Sequence, residues 1–468
     1  MSPSKPPPAA VLLAAGKGAR FWPYNEVRNK CAFPIANEPV IRRLCRQLGT
    51  LGFGQIVVVT SASDSSIRAA LRRLPGLQPR LVTQAEPTGT ADAALCGLAA
   101  LDGEVTGALV ISGDLVVADQ DLAATWARYQ LTGNATVLVE RLNGAPTDWL
   151  CAEIDGEGDA LRLTSVEGHS RDAAWRLAGV TALPRRHWSR LAEVPPVMRH
   201  VPVGGMPPAE RELAEALAVL ADDGDMPDAV AASQGLVDMD KPWHIMEATA
   251  AVLREMAAIC KESIDATARI AAGAEISGPV VIGPGAEIGN RVTLQGPARI
   301  GPGARVINGA IVGAGCVIGA RSRVSDYCLL SAGSVVGEEC IVGHGAEFEG
   351  VMLYRSYLYH YCEIYGVLGE AVDIGAATVY GTLRFDDGLS TPRIGGRREH
   401  PRDGANCTYI GDYSRTGVNV ITQPGVRIGC YTCVGAGVVV YRDIPSRQLV
   451  LLKQETEMRP WGPERYGW

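Results

Sequence analysis

Aromatic residues are scarce in this chain, at 6% of 468 residues with five phenylalanines. No apolar run is long enough to span a bilayer. Positive charge is not in excess either. Lysine and arginine total 44 against 51 aspartates and glutamates, a net charge of −7. That balance argues against a general nucleic-acid or membrane surface, while leaving room for a local basic pocket. Twelve cysteines are scattered without a pair of CxxC motifs. They are expected to be reduced and mostly buried, which suits the cytoplasm better than a secreted disulfide scaffold. The opening MSPSKPPPAA has no apolar signal-peptide core, and residues 1–9 read as a disordered tail.

Glycine, in contrast, is abundant at 54 residues, and the second half of the chain explains it. From Ile270 to Phe348 an apolar residue falls at every sixth position, fourteen in succession, often followed directly by glycine as in IGPGAE and IGPGAR. Neither a helix nor simple alternation has that period. Hexapeptide repeats do, each forming one flat face of a three-sided, left-handed parallel β-helix with the apolar residue inward. The register breaks around Gly350–Gly366 and resumes at Leu368, Ile374 and Tyr380. A polar segment from Asp386 to Asn406 interrupts it, and it returns from Ile410 through Val440. That segment carries Arg393, Arg397, Arg398, His400 and Arg402. It reads as a loop thrown out of the solenoid, able to receive an anionic ligand or to bridge subunits. The repeat domain is placed at 266–445 and a tail at 446–468, where Trp461, Tyr466 and Trp468 suggest docking on a partner surface.

The first half has another rhythm. Apolar strands are expected at Ala10–Leu13, Gln55–Thr60, Arg80–Thr83, Ala108–Ser112 and Thr136–Glu140. Helices are expected at Val40–Leu51, Ser66–Leu74, Ala91–Leu101 and Asp121–Tyr129. Such alternation predicts an α/β, Rossmann-like domain over residues 10–246, with a mostly parallel sheet covered on both faces and a site beyond the carboxyl ends of its strands. A helix from Pro242 to about Lys261 is expected to close this domain, with 247–265 as the linker to the repeats.

The densest chemistry lies at Leu13–Pro39, LAAGKGARFWPYNEVRNKCAFPIANEP. A glycine turn follows a strand, Arg20 follows the glycines, and Lys30 comes ten residues later. A turn that exposes backbone N–H groups beside two cations suits a triphosphate. It is neither the Rossmann fingerprint, for lack of a third glycine, nor a Walker A loop, for lack of GK[ST].

This segment resembles the LAAGxGTRxxP…PKxxxPVxxxP signature of the sugar-1-phosphate nucleotidylyltransferases, with Ala19 in place of threonine and Asn29 in place of proline. Three later segments are similar to that family's elements, in the family's order: Gln84–Thr90 (QAEPTGT), Ile111–Asp114 (ISGD) and Val237–Trp243 (VDMDKPW). The resemblance implies a backbone cradle for base and phosphates at Leu13, Ala15, Gly16, Gly18 and Ala19. It makes Arg20 and Lys30 the catalytic cations, assigns Gln84, Gly89 and Thr90 to the base, and gives Asp114 and Asp238 as joint ligands of Mg²⁺. The QAExxGT element is closest to uridylyl-transferring members, so UTP or dTTP and a sugar 1-phosphate are the implied partners. A plain loop capping the following helix through Thr90 is the bland reading of the same residues.

Toward the sugar the pattern changes. Glu167 and Gly179 are traceable as sugar ligands, but Leu150 stands where the family has glycine, Leu177 where it has asparagine, and Gly168 where it has lysine. A nucleotidylyltransferase followed by hexapeptide repeats is similar to the bifunctional uridylyltransferase/acetyltransferases of amino-sugar phosphates. That resemblance implies a homotrimer through the β-helix and, with acetyl-CoA, an acetyltransferase site whose base would be His360. Here YHYCEIYG and GAATVYGTLRFDD stand in place of that site's motifs, with Glu363 and Thr382 where tyrosine and asparagine are usual. Two alternatives therefore stay open beside the nucleotidylyltransferase: a bifunctional enzyme, and a weakened nucleotide-sugar sensor or scaffold.

Overall fold

The computed structural model describes residues 8–103, 105–142, 150–168, 173–195 and 210–463. Most of the tail expected at 1–9 lies outside these residues, and the first strand already begins at Ala9. Apolar β-branched and alanine-rich runs form strands β1 (Ala9–Ala14), β2 (Gln55–Ser61), β3 (Arg80–Gln84), β4 (Gly107–Ser112), β5 (Leu115–Val116) and β6 (Thr136–Arg141). β7 (Cys151–Asp155), β8 (Arg162–Gly168), β9 (Trp175–Pro184), β10 (Asp228–Ala231) and β11 (Val237–Asp238) follow. The main helices of this half are α1 (Val40–Thr50), α2 (Ser65–Ala70), α3 (Thr90–Leu98), α4 (Asp119–Thr132) and α5 (Leu213–Asp222).

Nine of the strands form one sheet in the order β3-β2-β1-β4-β9-β6-β10-β8-β7. It is less parallel than expected. The run β3-β2-β1-β4 is parallel, as is β6 with β10. β9 enters antiparallel between β4 and β6, and β8 lies antiparallel to both β10 and β7. The insertion of β9 sets Gly179 against Ser112 at the end of β4, two residues before Asp114, while Leu177 pairs with Val139 of β6. The short pair β5–β11 runs antiparallel with Asp238 opposite Leu115, which brings Asp238 to the residue next to Asp114.

Helix α6 (His244–Ala258) lies within the helix expected from Pro242 to about Lys261, and it is no free linker. Its Ile245, Ala248, Val252 and Leu253 are buried in a core shared by both halves. Among the described residues no helix is long and apolar enough to cross a membrane.

The second half is a parallel β-helix. One of its faces is a ten-strand ladder from Arg269–Ile270 to Leu449–Val450. Leu449 pairs with Cys433, so the coils run past the expected boundary at 445. The hexad residues fill the interior, with Ile288, Val306, Val324, Val342, Leu358 and Ile374 at most 1% exposed. The apparent break at 350–366 is a change of corner and not an end of the stack. There a single strand, Glu347–Met352, rounds the corner and pairs throughout with Glu363–Leu368. Gly350 makes this possible: its φ is +132°, and a Cβ there would lie 2.0 Å from the Gly366 carbonyl.

The third face shows why some outward positions are also apolar. Val317, Val335, Val351, Val367 and Tyr409 face away from the interior and join Tyr24, Phe33 and Trp243 of the first half in the shared core. Burying both sides of these strands fixes the first half on the β-helix. Most of the twelve cysteines are buried. Trp461 is exposed in the tail, and Tyr466 and Trp468 lie outside the described residues.

Candidate active site

Parallel pairing of β1 with β4 places Leu13 beside Ser112, so the glycine turn and Asp114 leave the sheet side by side. They open into a cleft of about 730 Å³. Leu13, Ala15, Gly16, Gly18, Ala19 and Arg20 form one wall, with Lys30 next to them. Gln84, Gly89 and Thr90 line the same cleft, as do Asp114, Gly179 and Asp238.

Two cations meet three carboxylates at its floor. Lys30 is paired with Asp114 and lies 3.8 Å from Asp240, and Arg20 lies 2.9 Å from Asp240. Burial opposes the Lys30 charge, yet Asp114, Asp238 and Asp240 together hold its pKa above the ordinary lysine value. Asp238 shifts upward, first through burial and then through the Asp114 carboxylate beside it, with Lys30 offsetting only part. One of its oxygens, Oδ1, is buried without a hydrogen-bond partner. Adjacent carboxylates with an orphaned oxygen, held at a cost in charge repulsion, fit a divalent cation whose shell phosphate oxygens and waters would complete. Mg²⁺ would be held there by Asp114 and Asp238.

Asp240 was not picked out from sequence. A tight turn, in which the Asp240 N–H donates to the Asp238 carbonyl at 2.8 Å, brings both carboxylates to the cleft. His244 braces the same segment: its Nδ1 accepts the N–H groups of Asp240 (3.2 Å) and Lys241 (3.3 Å). Burial, then the Lys241 charge, lowers its pKa to about 3, which keeps the ring neutral and able to accept. Asn29 also does more than replace a proline. Its Oδ1 accepts the Cys31 N–H at 2.9 Å, and its Nδ2 donates to the Ala14 carbonyl at 2.9 Å. Asn29 thereby ties the glycine turn to the Lys30 segment.

Thr90 is not the cap of its own helix. Gly89 holds that position, and the Thr90 hydroxyl donates to Glu212 (2.5 Å) and accepts the Leu213 N–H (2.7 Å) at the start of α5. Gly89 has φ +119°, and a Cβ there would lie 2.1 Å from the Arg211 carbonyl. We expect Gly89→Ala to destabilise the protein by about 3 kcal/mol through overpacking and a left-handed backbone, read as a lowered midpoint in urea. An unchanged midpoint would show that the Gly89–Arg211 contact is dispensable. Gln84 is buried, with its amide reaching Thr88 at 3.5 Å.

The structure does not bring Glu167 to the cleft. It is absent from the lining residues, and its carboxylate accepts from the neighbouring Ser165 hydroxyl. Instead this end is walled by Leu150, Leu177, Val137 and Leu217. The Leu177 N–H donates to the Leu150 carbonyl at 2.8 Å, which locks the two leucines together. Gly179 has φ +71° and packs on Ser112. Arg176 also lines the cleft, buried and paired with Glu140.

In the β-helix, His360 is exposed at a corner between the rings of Tyr359 (6.2 Å) and Tyr361 (6.1 Å). His344 occupies the equivalent corner one coil earlier, between Tyr327 and Tyr361. The segment 386–406 is indeed extruded. Among its residues a small hairpin pairs Arg393–Ile394 with Arg397–Arg398, and Glu399 reaches the first half.

A glycine turn and paired carboxylates meet in a strand-end cleft, and residues 10–237 match the MobA-like NTP transferase domain. Across nearly its whole length the chain is similar to bifunctional sugar-1-phosphate nucleotidylyltransferases. The bifunctional protein GlmU of Methanocaldococcus jannaschii is 26% identical over 452 residues, 96% of this chain and 99% of that protein. The bifunctional sugar-1-phosphate nucleotidylyltransferase/acetyltransferase of Sulfurisphaera tokodaii is 27% identical over 440 residues, 93% of this chain and 98% of that protein. Among solved structures, a UTP-bound UGPase from Acinetobacter baumannii aligns 53% of this chain with 94% of its own, at 20% identity and a TM-score of 0.45.

Proposed function

We propose that the cleft transfers a nucleotidyl group from an NTP, UTP or dTTP by preference, to a sugar 1-phosphate. The observation that carries this reading is the convergence of Arg20 and Lys30 on Asp114, Asp238 and Asp240 beside the glycine turn. A phosphate oxygen of the sugar 1-phosphate attacks the α-phosphorus, the bond to the β-phosphate breaks, and pyrophosphate leaves. Such a transfer needs positioning and charge neutralisation more than covalent help. The turn's N–H groups and Arg20 hold the triphosphate. Lys30, freed from its carboxylate partners by the incoming anion, neutralises charge at the phosphorus in flight. Gln84 offers both donor and acceptor to the edge of uracil or thymine. Mg²⁺ bound by Asp114 and Asp238 supplies further neutralisation of the phosphates. Pyrophosphate release with each NTP against a panel of sugar 1-phosphates tests the reaction. Nucleotide binding without turnover for any pair would favour a sensor.

The leucine wall bears on the acceptor. Acceptors that turn an apolar substituent toward Leu150 and Leu177 are expected to react faster than fully hydroxylated ones. Leu177→Asn should shift kcat/KM toward the hydroxylated sugar by about tenfold. No shift in the ratio would place the acceptor elsewhere.

A second reading adds acetyl transfer from acetyl-CoA to an amino-sugar phosphate in the β-helix. Exposure of His360 beside His344 at one corner favours it. Thiol release that His360→Ala abolishes would support it, and no release with glucosamine or galactosamine 1-phosphate would remove it. Exposed Ile311 and Ile421 on one outward face support assembly into a homotrimer through the β-helix, which light scattering tests.

A further inference from the structure

Both segments that carry the cleft's charges are pinned to the β-helix by buried ion pairs. We propose that the β-helix is thereby a working part of the nucleotidyl-transfer site, with Glu399 and Asp412 as its positioning residues. This rests on the nucleotidyl-transfer reading of the cleft.

The first pin holds the carboxylate segment. Lys241 directly follows Asp240, and its Nζ donates to Glu399 at 2.7 Å with side-chain exposures of 4% and 10%. Glu399 stands on the loop that leaves the β-helix after the strand Val379–Tyr380 and rejoins it at Thr408–Ile410. The second pin holds the cation segment. Arg28, two residues before Lys30, pairs with Glu370 at 3.1 Å and with Asp412, whose side chain is fully buried. Asp412 is itself fixed by the Glu370 N–H at 2.8 Å. Between Arg20 and Arg28 the chain lies along the coils. The Tyr24 hydroxyl donates to the Val367 carbonyl at 2.8 Å, and the Arg427 guanidinium sits 5.3 Å from the centre of the Trp22 ring.

The two pins close a loop of contacts. Glu399 holds Lys241, Asp240 next to it holds Arg20 at 2.9 Å, and the chain from Arg20 runs to Arg28 and Asp412. The β-helix thus sets how far the phosphate cations stand from the carboxylates. Adhesion alone would not call for these charges. Apolar packing already joins the halves, and buried ion pairs are often no more stable than apolar side chains in their place. What a directed pair adds is a fixed register for the residues beside it, which a charged site of this kind needs.

The test uses the full chain as wild type, as Glu399→Gln, and as the double variant Lys241→Met/Glu399→Met, which removes both charges together. Two quantities are measured: the melting temperature, and calorimetric binding of UTP in the presence of Mn²⁺. Glu399→Gln should weaken Mn²⁺–UTP binding by about tenfold. The double variant should recover the melting temperature, because neither member of the Lys241–Glu399 pair is left without the other, but not the binding. Unchanged binding in Glu399→Gln would overturn the inference. So would recovery of binding together with melting temperature in the double variant, because that is what a purely structural pair would do. If Glu399→Gln does not fold, the double variant alone decides. A wild-type chain that binds no UTP with Mn²⁺ would instead bring down the reading of the cleft itself.

Discussion

Lys30→Met lowers the rate of nucleotidyl transfer by about 10³-fold while moving KM for the nucleotide by no more than about threefold. The methionine keeps the stem that packs over Gly18, where Lys30 carbons stand 3.4 Å from a Cβ built on the glycine. It removes only the charge. That charge is held above its ordinary pKa inside a buried cluster, so it costs little reorganisation when negative charge develops on the phosphoryl group. Binding falls less because Arg20 and the backbone turn still hold the triphosphate. Single-turnover rates at saturating nucleotide read the effect directly. A loss smaller than about fivefold would take Lys30 out of the chemistry.

Asp238→Asn produces the second large effect, and it has two opposite signs. Metal-dependent turnover falls by at least about 10²-fold, because one of two carboxylate ligands is gone. The ligand-free protein, however, becomes more stable at pH 8. Burial, and then the Asp114 carboxylate beside it, raise the Asp238 pKa from the ordinary 3.8 toward 7. A raised folded pKa means that its stabilisation is fully present below 3.8 and is lost as pH rises toward 7. Asparagine carries no such penalty. The melting-temperature gain of Asp238→Asn should therefore be largest above pH 7 and shrink to nothing near pH 4. Mn²⁺ should narrow it by stabilising only the wild type. Thermal melts at three pH values with and without Mn²⁺ check this. A gain independent of pH would mean that Asp238 is not held as a strained carboxylate.

How much of this site could be read from sequence depends on the distance over which each contact is made. The hexads were legible because each repeat meets its neighbour at a fixed short spacing, and the interior positions named from Ile288 to Ile374 are buried. The glycine turn and Asp114 were legible because strand ends in such sheets gather charges for ligands, whereas Asp238 was reached only through the resemblance of its segment to a family element. Asp240 was missed although it lies two residues from Asp238, since its role depends on where Arg20 and Lys30 point. Glu399 and Asp412 could not have been found. Their partners lie 158 and 384 residues away, across an interface with no local pattern. The antiparallel entry of β9 was also hidden, because an apolar strand buried on both faces carries no mark of its direction. Glu167 was placed by motif alone, whereas Leu150 and Leu177, which close that end of the cleft, stood out in the sequence as departures from the motif.

UTP labelled at the α-phosphorus, incubated with Mg²⁺ and the panel of sugar 1-phosphates, tests the central claim most directly. Label should appear in a nucleotide sugar with an equal amount of pyrophosphate, and Asp238→Asn should abolish both. Label recovered only as UMP, or left in UTP that the protein binds but does not consume with any acceptor, would contradict the claim.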